Sequence, residues 1–178
     1  RDLTGNAPSD LQATTARLAG EWGLGQLIDI TDEEAHADLE RLSATMISIV
    51  AQSARHADGF PTPVDPELVE TGRTAAERFL LEWRGEADPG HIQAIDTYWI
   101  CTAEHGLNAS TFTARVVAST GADCAASLAS AVGALSGPLH GGAPARVLPM
   151  LDGAAASVLA RGLADVVLVP AVVGDLVP

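Results

Sequence analysis

The chain has 178 residues, of which 47% are hydrophobic and only 4% aromatic, and this composition predicts one domain-sized core built of aliphatic side chains. Ten arginines and no lysine stand against 23 acidic residues, and the formal net charge of -13 excludes a basic surface for nucleic acid or for an anionic membrane. No apolar segment approaches the ~20 residues of a membrane-spanning helix and no secretory leader is recognisable, so we expect a cytoplasmic protein.

Helical spacing of apolar residues recurs along most of the chain. Thr31 is a capping hydroxyl followed by three acidic residues, and Asp65-Pro66 and Asp88-Pro89 each combine a cap with a proline in the first turn. No segment before the last dozen residues sustains the period-two alternation of a strand. The predicted fold class is therefore all-α, with helices at 14–22, 31–55, 66–84, 89–103, 109–119 and 122–135.

The last predicted helix and the two cysteines bear on packing. Residues 122–135 are almost wholly Ala, Ser, Val and Leu, which suits a helix buried among other helices. Cys101 and Cys124 are too few for a disulfide framework and their spacing fits no zinc motif. We expect both cysteines to be small buried residues.

Two polar segments interrupt this apolar pattern, and each contains a histidine flanked by glycine. The first is 103–110, AEHGLNAS, and the second is 136–144, SGPLHGGAP. A lone histidine is most often a satisfied core or helix-end residue, and that alternative stays open here. Two such segments in one chain instead favour a pocket for a small carboxylated or carbonyl-bearing ligand.

Other chemistries have less support in the sequence. No Gly-x-Ser-x-Gly elbow and no phosphate-binding glycine loop occurs. Glu104 and His105 are adjacent in sequence and so point in different directions, which disfavours a metal site. We predict no metal.

Both polar segments resemble those of citrate synthases. Residues 104–116, EHGLNASTFTARV, are similar to the family's His-x-x-Asn-Ala-Ser-Thr-x-x-Ala-Arg segment, and residues 133–143, GALSGPLHGGA, to its Gly-Pro-Leu-His-Gly-Gly-Ala segment. The two histidines lie 35 positions apart, as in the family, and 85–99 fits bacterial members. The resemblance extends over about residues 24–151 and implies a multi-helical citrate-synthase-like large domain.

The resemblance implies a transferase of the tricarboxylic acid cycle. Citrate synthases condense acetyl-CoA, a co-substrate, with oxaloacetate to give citrate and CoA, and they need no bound cofactor. His140 matches the histidine that donates a hydrogen bond to the thioester oxygen as the enol forms, and a neutral imidazole suits that role.

Other residues of the first segment match the oxaloacetate pocket of the family. His105 matches the histidine that binds the substrate, and Asn108, three residues on, is expected to face the same pocket. For Ser110, a hydroxyl that bonds back to its own helix is the favoured interpretation. Arg115 is expected to have an interhelical structural role.

The chain also departs from the family. The later Gly-Phe-Gly-His-Arg-Val-Tyr-type motif, the aspartate that serves as methyl base and the arginines that hold the carboxylates are not recognisable in 152–178. We therefore expect 1–142 to form part of the large domain and 143–178 to be the beginning of a small domain, truncated or remodelled. Whether this reflects a truncated product, an internal deletion or a partial sequence stays open.

Alternatives to citrate formation remain at this point. One is methylcitrate formation from propionyl-CoA, and another is an inactive fragment that serves as a structural or regulatory subunit. We also expect a homodimer. Small-residue helices such as 122–135 have too little side-chain bulk for solvent-facing positions, and the resemblance implies that subunits pair through large-domain helices of this kind.

Overall fold

The computed structural model of the chain describes residues 3–104 and 106–142. The described part contains α-helices and no β-strand, which confirms the all-α prediction. The helices are α1 (Ala7–Trp22), α2 (Asp32–Ala57), α3 (Pro66–Glu70), α4 (Ala75–Arg84), α5 (Pro89–Thr102), α6 (Ala109–Ala118) and α7 (Cys124–Leu135). The predicted second domain, 143–178, lies outside the described residues.

Helix α1 is longer than the predicted 14–22. Asn6 caps it by accepting a hydrogen bond from the Ser9 backbone N–H at 3.1 Å, and a proline occupies the first turn. Leu11 and Leu18 then face the core. The prediction began seven residues late because it followed apolar spacing and passed over the Asn-x-Pro start.

Helix α2 begins where its capping residues predict. The Thr31 hydroxyl accepts from the Glu34 backbone N–H at 3.2 Å, while the Glu34 carboxylate accepts from the Thr31 backbone N–H at 2.8 Å. This reciprocal capping box satisfies two donors that the helix itself leaves open. The helix extends to Ala57, and its buried face includes Leu42 and Met46.

The single helix predicted at 66–84 is wrong, because the chain forms two helices there. Asp65 caps α3 and Thr74 caps α4, and the Thr74 hydroxyl accepts from the Glu77 backbone N–H at 3.1 Å. In the loop between them, the Gly72 carbonyl accepts a hydrogen bond from the Arg78 side chain of α4 at 2.8 Å. A Cβ at Gly72 would lie only 2.7 Å from the Arg78 Cγ, so the close turn needs glycine.

Helix α7 is the buried centre of the described fold, as its small side chains predict. It packs against α1, α2 and α6. Eight of its twelve residues are buried, namely Cys124, Ala125, Ser127, Leu128, Ala129, Ala131, Val132 and Leu135. Because α7 is covered by helices of its own chain, its composition does not by itself argue for a second copy.

The two cysteines differ in environment, and both are free thiols. Cys124 is buried, and burial together with the nearby carboxylates of Asp38 and Asp123 raises the pKa of its thiol. Cys101 is exposed on α5, so its predicted burial is wrong. No described helix is both long and apolar enough to cross a membrane.

Candidate functional site

Asn108 begins helix α6. Its Oδ1 accepts a hydrogen bond from the Thr111 backbone N–H at 2.7 Å, which satisfies an otherwise open donor of the first turn. Ser110 lies in that same turn and is only 1% exposed. The first polar segment therefore ends in a capped helix whose first turn buries the Ser110 side chain.

His140 lies in a tight turn that follows α7. The turn is held by backbone hydrogen bonds from Gly141 to the Leu135 carbonyl at 2.8 Å and from His140 to the Gly137 carbonyl at 3.0 Å. A Cβ added at Gly141 would lie 2.5 Å from the Leu135 carbonyl oxygen, a distance that no side chain tolerates. The glycine after the histidine is thus required by the fold of the turn, which fixes where the imidazole is presented.

Ser110 joins the two polar segments. Its Oγ lies 3.0 Å from Nε2 of His140, thirty residues along the chain, and it donates to Oδ1 of Asn108 at 2.7 Å. Asn108, Ser110 and His140 therefore form one connected hydrogen-bond network between the start of α6 and the turn after α7. Two of the three residues predicted for the site, Asn108 and His140, lie close to each other.

The contacts of Ser110 extend beyond those that the sequence predicts. The interpretation of a hydroxyl that bonds only within its own segment accounts for the contact with Asn108 but not for the contact with His140. The available signal was its position in the first turn after an asparagine cap, where side chains of a buried helix start face a neighbouring element. Which element that is depends on the packing of α6 against α7.

His105 lies outside the described residues, so its predicted place opposite His140 stays a prediction. The backbone that follows it is unusual, because Gly106 and Leu107 both have positive φ, 60° and 50°. A leucine in this left-handed region is uncommon and costs conformational energy. The strained Leu107 side chain is fully exposed and leads directly into the Asn108 cap.

Two further side chains near the site are exposed. Glu104 is exposed, and it precedes the first polar segment's histidine. Arg115 is exposed near the end of α6, and its expected interhelical role stays a prediction. Within the described residues, no group of three or more His, Cys, Asp and Glu side chains is placed to hold a metal ion.

A cavity of about 650 Å³ lies elsewhere in the fold, between α2, α3 and α4. Its polar wall includes Glu82, whose carboxylate accepts from Gln52 at 2.8 Å and from Ser48. None of Asn108, Ser110 and His140 lines this cavity. The candidate site is therefore the hydrogen-bonded junction of α6 and α7 and not this cavity.

Comparison with known proteins bears on these segments. A family model described as "Citrate synthase, C-terminal domain" matches residues 6–168, which extends beyond the segment of resemblance at both ends. A Mycobacterium tuberculosis (strain H37Rv) protein named "Putative citrate synthase 2" is 56% identical over 150 residues, covering 84% of this chain and 39% of that protein.

Two more distant relatives cover shorter stretches. The citrate synthase of Haloferax volcanii is 40% identical over 126 residues, or 69% of this chain and 32% of the relative. A 2-methylcitrate synthase of Mycobacterium tuberculosis (strain Erdman) is 41% identical over 109 residues, or 61% of this chain and 27% of the relative. The chain thus spans about two fifths or less of the length of these relatives.

Proposed function

The chain belongs to the citrate synthase family, and on that premise we propose that it contributes to the condensation of acetyl-CoA with oxaloacetate to give citrate and CoA. The observation that supports this most directly is the contact between Ser110 and His140, because it connects the two segments that resemble the family's site. A cytoplasmic location is part of the proposal, and two free cysteines are compatible with a reducing compartment.

The chemistry explains why a fixed imidazole is needed. The methyl protons of a thioester are very weakly acidic, so the enol forms only if a donor stabilises the carbonyl oxygen while a base removes the proton. In our proposal His140 is that donor. The glycine turn and the contact with Ser110 hold the ring before substrate arrives, so little reorganisation is needed during reaction.

The oxaloacetate side of the proposal involves His105 and Asn108. Oδ1 of Asn108 accepts from the Thr111 backbone N–H and from Ser110, so the other polar group of this side chain is its amide nitrogen, which is a donor. A donor is what a substrate carboxylate or carbonyl requires. The Asn108 cap therefore fixes both the start of α6 and the direction of the amide.

The 178-residue chain by itself is expected to lack normal turnover. The family's methyl base and carboxylate-binding arginines have no recognisable counterpart in 152–178, and general-base catalysis alone typically contributes about 10²–10⁴-fold. His140 cannot supply the base, because the proposal requires it at the carbonyl oxygen. Binding of oxaloacetate through His105 and Asn108 would be weak without cations to neutralise two carboxylates.

The test is thiol release from acetyl-CoA in the presence of oxaloacetate. It is run on the 178-residue chain and on a chimaera that adds the remaining segments of the 56%-identical relative. We expect citrate from the chimaera and turnover far below the ~1–10³ s⁻¹ common among enzymes from the chain alone. A chimaera that is folded, binds acetyl-CoA and forms no citrate would contradict the proposed reaction.

The second candidate is methylcitrate formation, which the 41%-identical 2-methylcitrate synthase favours. The described residues of the site serve both reactions, because propionyl-CoA and acetyl-CoA differ by one methylene on the carbon that reacts. A single methylene in an apolar pocket is worth about 1–3 kcal/mol in specificity. The masses of the products formed by the chimaera from an equal mixture of the two thioesters, citrate against methylcitrate, decide between them.

We propose a homodimer on a different basis from the composition of α7. Phe112 and Val116 lie four residues apart on α6 and are 70% and 48% exposed, and Leu139 beside His140 is 90% exposed. Apolar side chains spaced in this way form one face of a helix that a partner would cover. The alternative of an inactive subunit predicts that the chain associates with full-length citrate synthase and contributes no turnover.

Sedimentation equilibrium tests the homodimer. We expect a mass of twice 18.3 kDa that falls on dilution, and a shift to the monomer mass in Phe112→Asp. Thr113→Asp, on a partly buried neighbouring position of α6, is the control for a new charge on the helix. A mass of 18.3 kDa at every concentration would contradict the dimer.

A further inference from the structure

The cavity between α2, α3 and α4 takes no part in the proposed condensation. Its volume of about 650 Å³ lies within the range of about 300–1,000 Å³ that small-molecule sites occupy. Apolar side chains form much of its wall, among them Ile47, Val64, Val69 and Phe79. We propose that this cavity binds a small zwitterion with an apolar body, of the class of dipeptides of apolar residues.

The charged side chains of the wall favour a ligand without net charge. Two of them are acidic, Glu70 and Glu82, and two are basic, Arg73 and Arg78. A ligand with a single charge would be attracted by one pair and repelled by the other, whereas a zwitterion can place each of its charges against the opposite sign. This balance contrasts with the chain as a whole, in which 23 acidic residues outnumber ten arginines.

Arg78 and Glu82 are four residues apart on α4, a spacing that normally lets two side chains of opposite charge meet. Both lie in the described part of the chain, and no salt bridge joins them. Arg78 instead donates from Nε to the Gly72 carbonyl at 2.8 Å. Glu82 accepts through Oε1 from Gln52 at 2.8 Å and from Ser48, both on α2. Other parts of the fold therefore hold the two charges apart on the wall of the cavity.

Both charged groups retain hydrogen-bonding capacity for a ligand. Within the described residues, Oε2 of Glu82 accepts no hydrogen bond and the two terminal nitrogens of Arg78 donate none. The open carboxylate oxygen is an acceptor for an ammonium group. The two terminal nitrogens of the guanidinium match the two oxygens of a carboxylate. Glu82 and Arg78 are thus complementary to the two ends of a zwitterion.

The spacing of these two residues sets the length of the ligand. Four residues of α-helix rise about 6 Å, so a ligand that meets both side chains carries its charges about that far apart. A single α-amino acid is too short, because its ammonium and carboxylate groups are on the same carbon. Two extended residues span about 7 Å and end in the two required charges. The apolar wall then contacts the side chains of the dipeptide.

Isothermal titration calorimetry of the 178-residue chain with leucyl-leucine tests the proposal. The comparison ligands are its N-acetyl form, which lacks the ammonium group, and its C-terminal amide, which lacks the carboxylate. We expect saturable 1:1 binding of leucyl-leucine, about ten-fold tighter than the binding of either capped form. Each cap removes one charge-assisted hydrogen bond, and the low end of its usual contribution applies to a partly exposed site.

Two variants connect each end of the ligand to its side chain. In Glu82→Gln we expect leucyl-leucine and its N-acetyl form to bind with similar affinity, while the preference for the carboxylate over the amide stays about ten-fold. In Arg78→Gln the reverse pattern is expected. Glu86→Gln and Arg84→Gln remove the same charges from residues that do not line this cavity, and both preferences should persist in these controls.

Three results would overturn the inference. They are no saturable binding of leucyl-leucine at millimolar concentrations, an affinity that neither cap changes, or preferences that persist in folded Glu82→Gln and Arg78→Gln variants. If Arg78→Gln fails to fold without its contact to Gly72, the capped ligands on the unsubstituted chain and on Glu82→Gln decide.

The chimaera with the remaining segments of the 56%-identical relative supplies one further arm. We expect it to bind leucyl-leucine as the 178-residue chain does. Loss of binding in the folded chimaera would overturn the inference, because a further segment would then occupy the cavity. None of these measurements depends on citrate formation, so the proposed function stands or falls separately.

Discussion

Ser110 connects the described residues of the two glycine-flanked segments. Its hydroxyl is 1% exposed and lies 3.0 Å from His140, so Ser110→Ala removes a contact that orients the ring. Misplacement of a reacting group by about 1 Å can cost about 10²-fold in rate. We expect kcat for citrate formation by the completed chimaera to fall by that order, with KM for oxaloacetate little changed.

The control for that experiment is another buried serine. Ser127 on α7 bonds to the Asp123 carbonyl of its own helix at 3.1 Å and does not contact His140. Ser127→Ala should therefore leave kcat unchanged. Equal losses in the two variants would show that Ser110 acts only through stability.

Asp10 is a second residue whose side chain organises distant backbone. Its buried carboxylate accepts from Ser53 at 2.6 Å and from the backbone N–H groups of Thr4 and Gly5 at 3.0 Å. Burial alone would raise the pKa of Asp10, but the hydrogen bonds from Ser53, Thr4 and Gly5 outweigh it and the pKa is lowered. The network ties the start of the chain to α1 and α2.

Because the folded-state pKa of Asp10 is below the unfolded value, its contribution to stability is full above the unfolded pKa of about 3.9 and is lost as the pH falls through the folded value. We expect Asp10→Asn to lower the free energy of unfolding in urea by about 1–3 kcal/mol at pH 7. The difference between the two proteins should shrink under acid conditions. A difference that grows as the pH falls would contradict this account.

The helix starts show what the sequence can and cannot predict. Thr31 with Glu34, Asp65-Pro66 and Asp88-Pro89 predict their helices because a cap acts within three or four residues. The same rule applies to Asn6 and Thr74, but apolar spacing across those positions suggested other boundaries. Helix starts were therefore predictable from local chemistry wherever the cap was considered before the apolar pattern.

The contact between Ser110 and His140, unlike a helix cap, joins residues that are distant in the sequence. The residue types and the glycines that flank them identify both segments as candidates, whereas the 3.0 Å contact depends on how α6 and α7 pack. No local rule carries that information across thirty residues. The same holds for Cys101, whose exposure depends on what covers α5.

The turn after α7 is the element that presents His140, and its glycines can be tested. Gly141→Ala would place a methyl group 2.5 Å from the Leu135 carbonyl oxygen and 2.8 Å from its side chain. We expect a loss of about 1–3 kcal/mol in the free energy of unfolding, because the neighbouring backbone must shift. Thermal or urea denaturation measures this change.

Gly20→Ala is the matched control for that substitution. Gly20 lies within α1 and nothing in the structure stands within 4 Å of an added Cβ. Alanine there should stabilise the chain by about 0.5–1 kcal/mol, because the helix interior disfavours glycine. Destabilisation of the same size by both substitutions would contradict a specific steric requirement for glycine at position 141.

The molecule as a whole has a helical core of the citrate synthase family and aligns with about two fifths of the length of the 56%-identical relative. The described helices bury α7 and bring Asn108 and His140 into one network, which supports the enzyme proposal for this part of the fold. In the proposed reaction, the family's methyl base has no recognisable counterpart in 152–178. We therefore predict that the chain contributes the part of the site that orients the His140 ring and needs further segments of the protein for turnover.

The central claim is that His140 acts at the thioester oxygen in the condensation of acetyl-CoA with oxaloacetate. The most direct measurement is the rate of citrate formation by the completed chimaera carrying His140→Ala, compared with the same chimaera without the substitution. Loss of one donor at a developing oxyanion typically costs about 10²–10³-fold in kcat, and we predict a loss of that size with oxaloacetate binding retained. A folded His140→Ala chimaera that forms citrate at the unsubstituted rate would contradict the account.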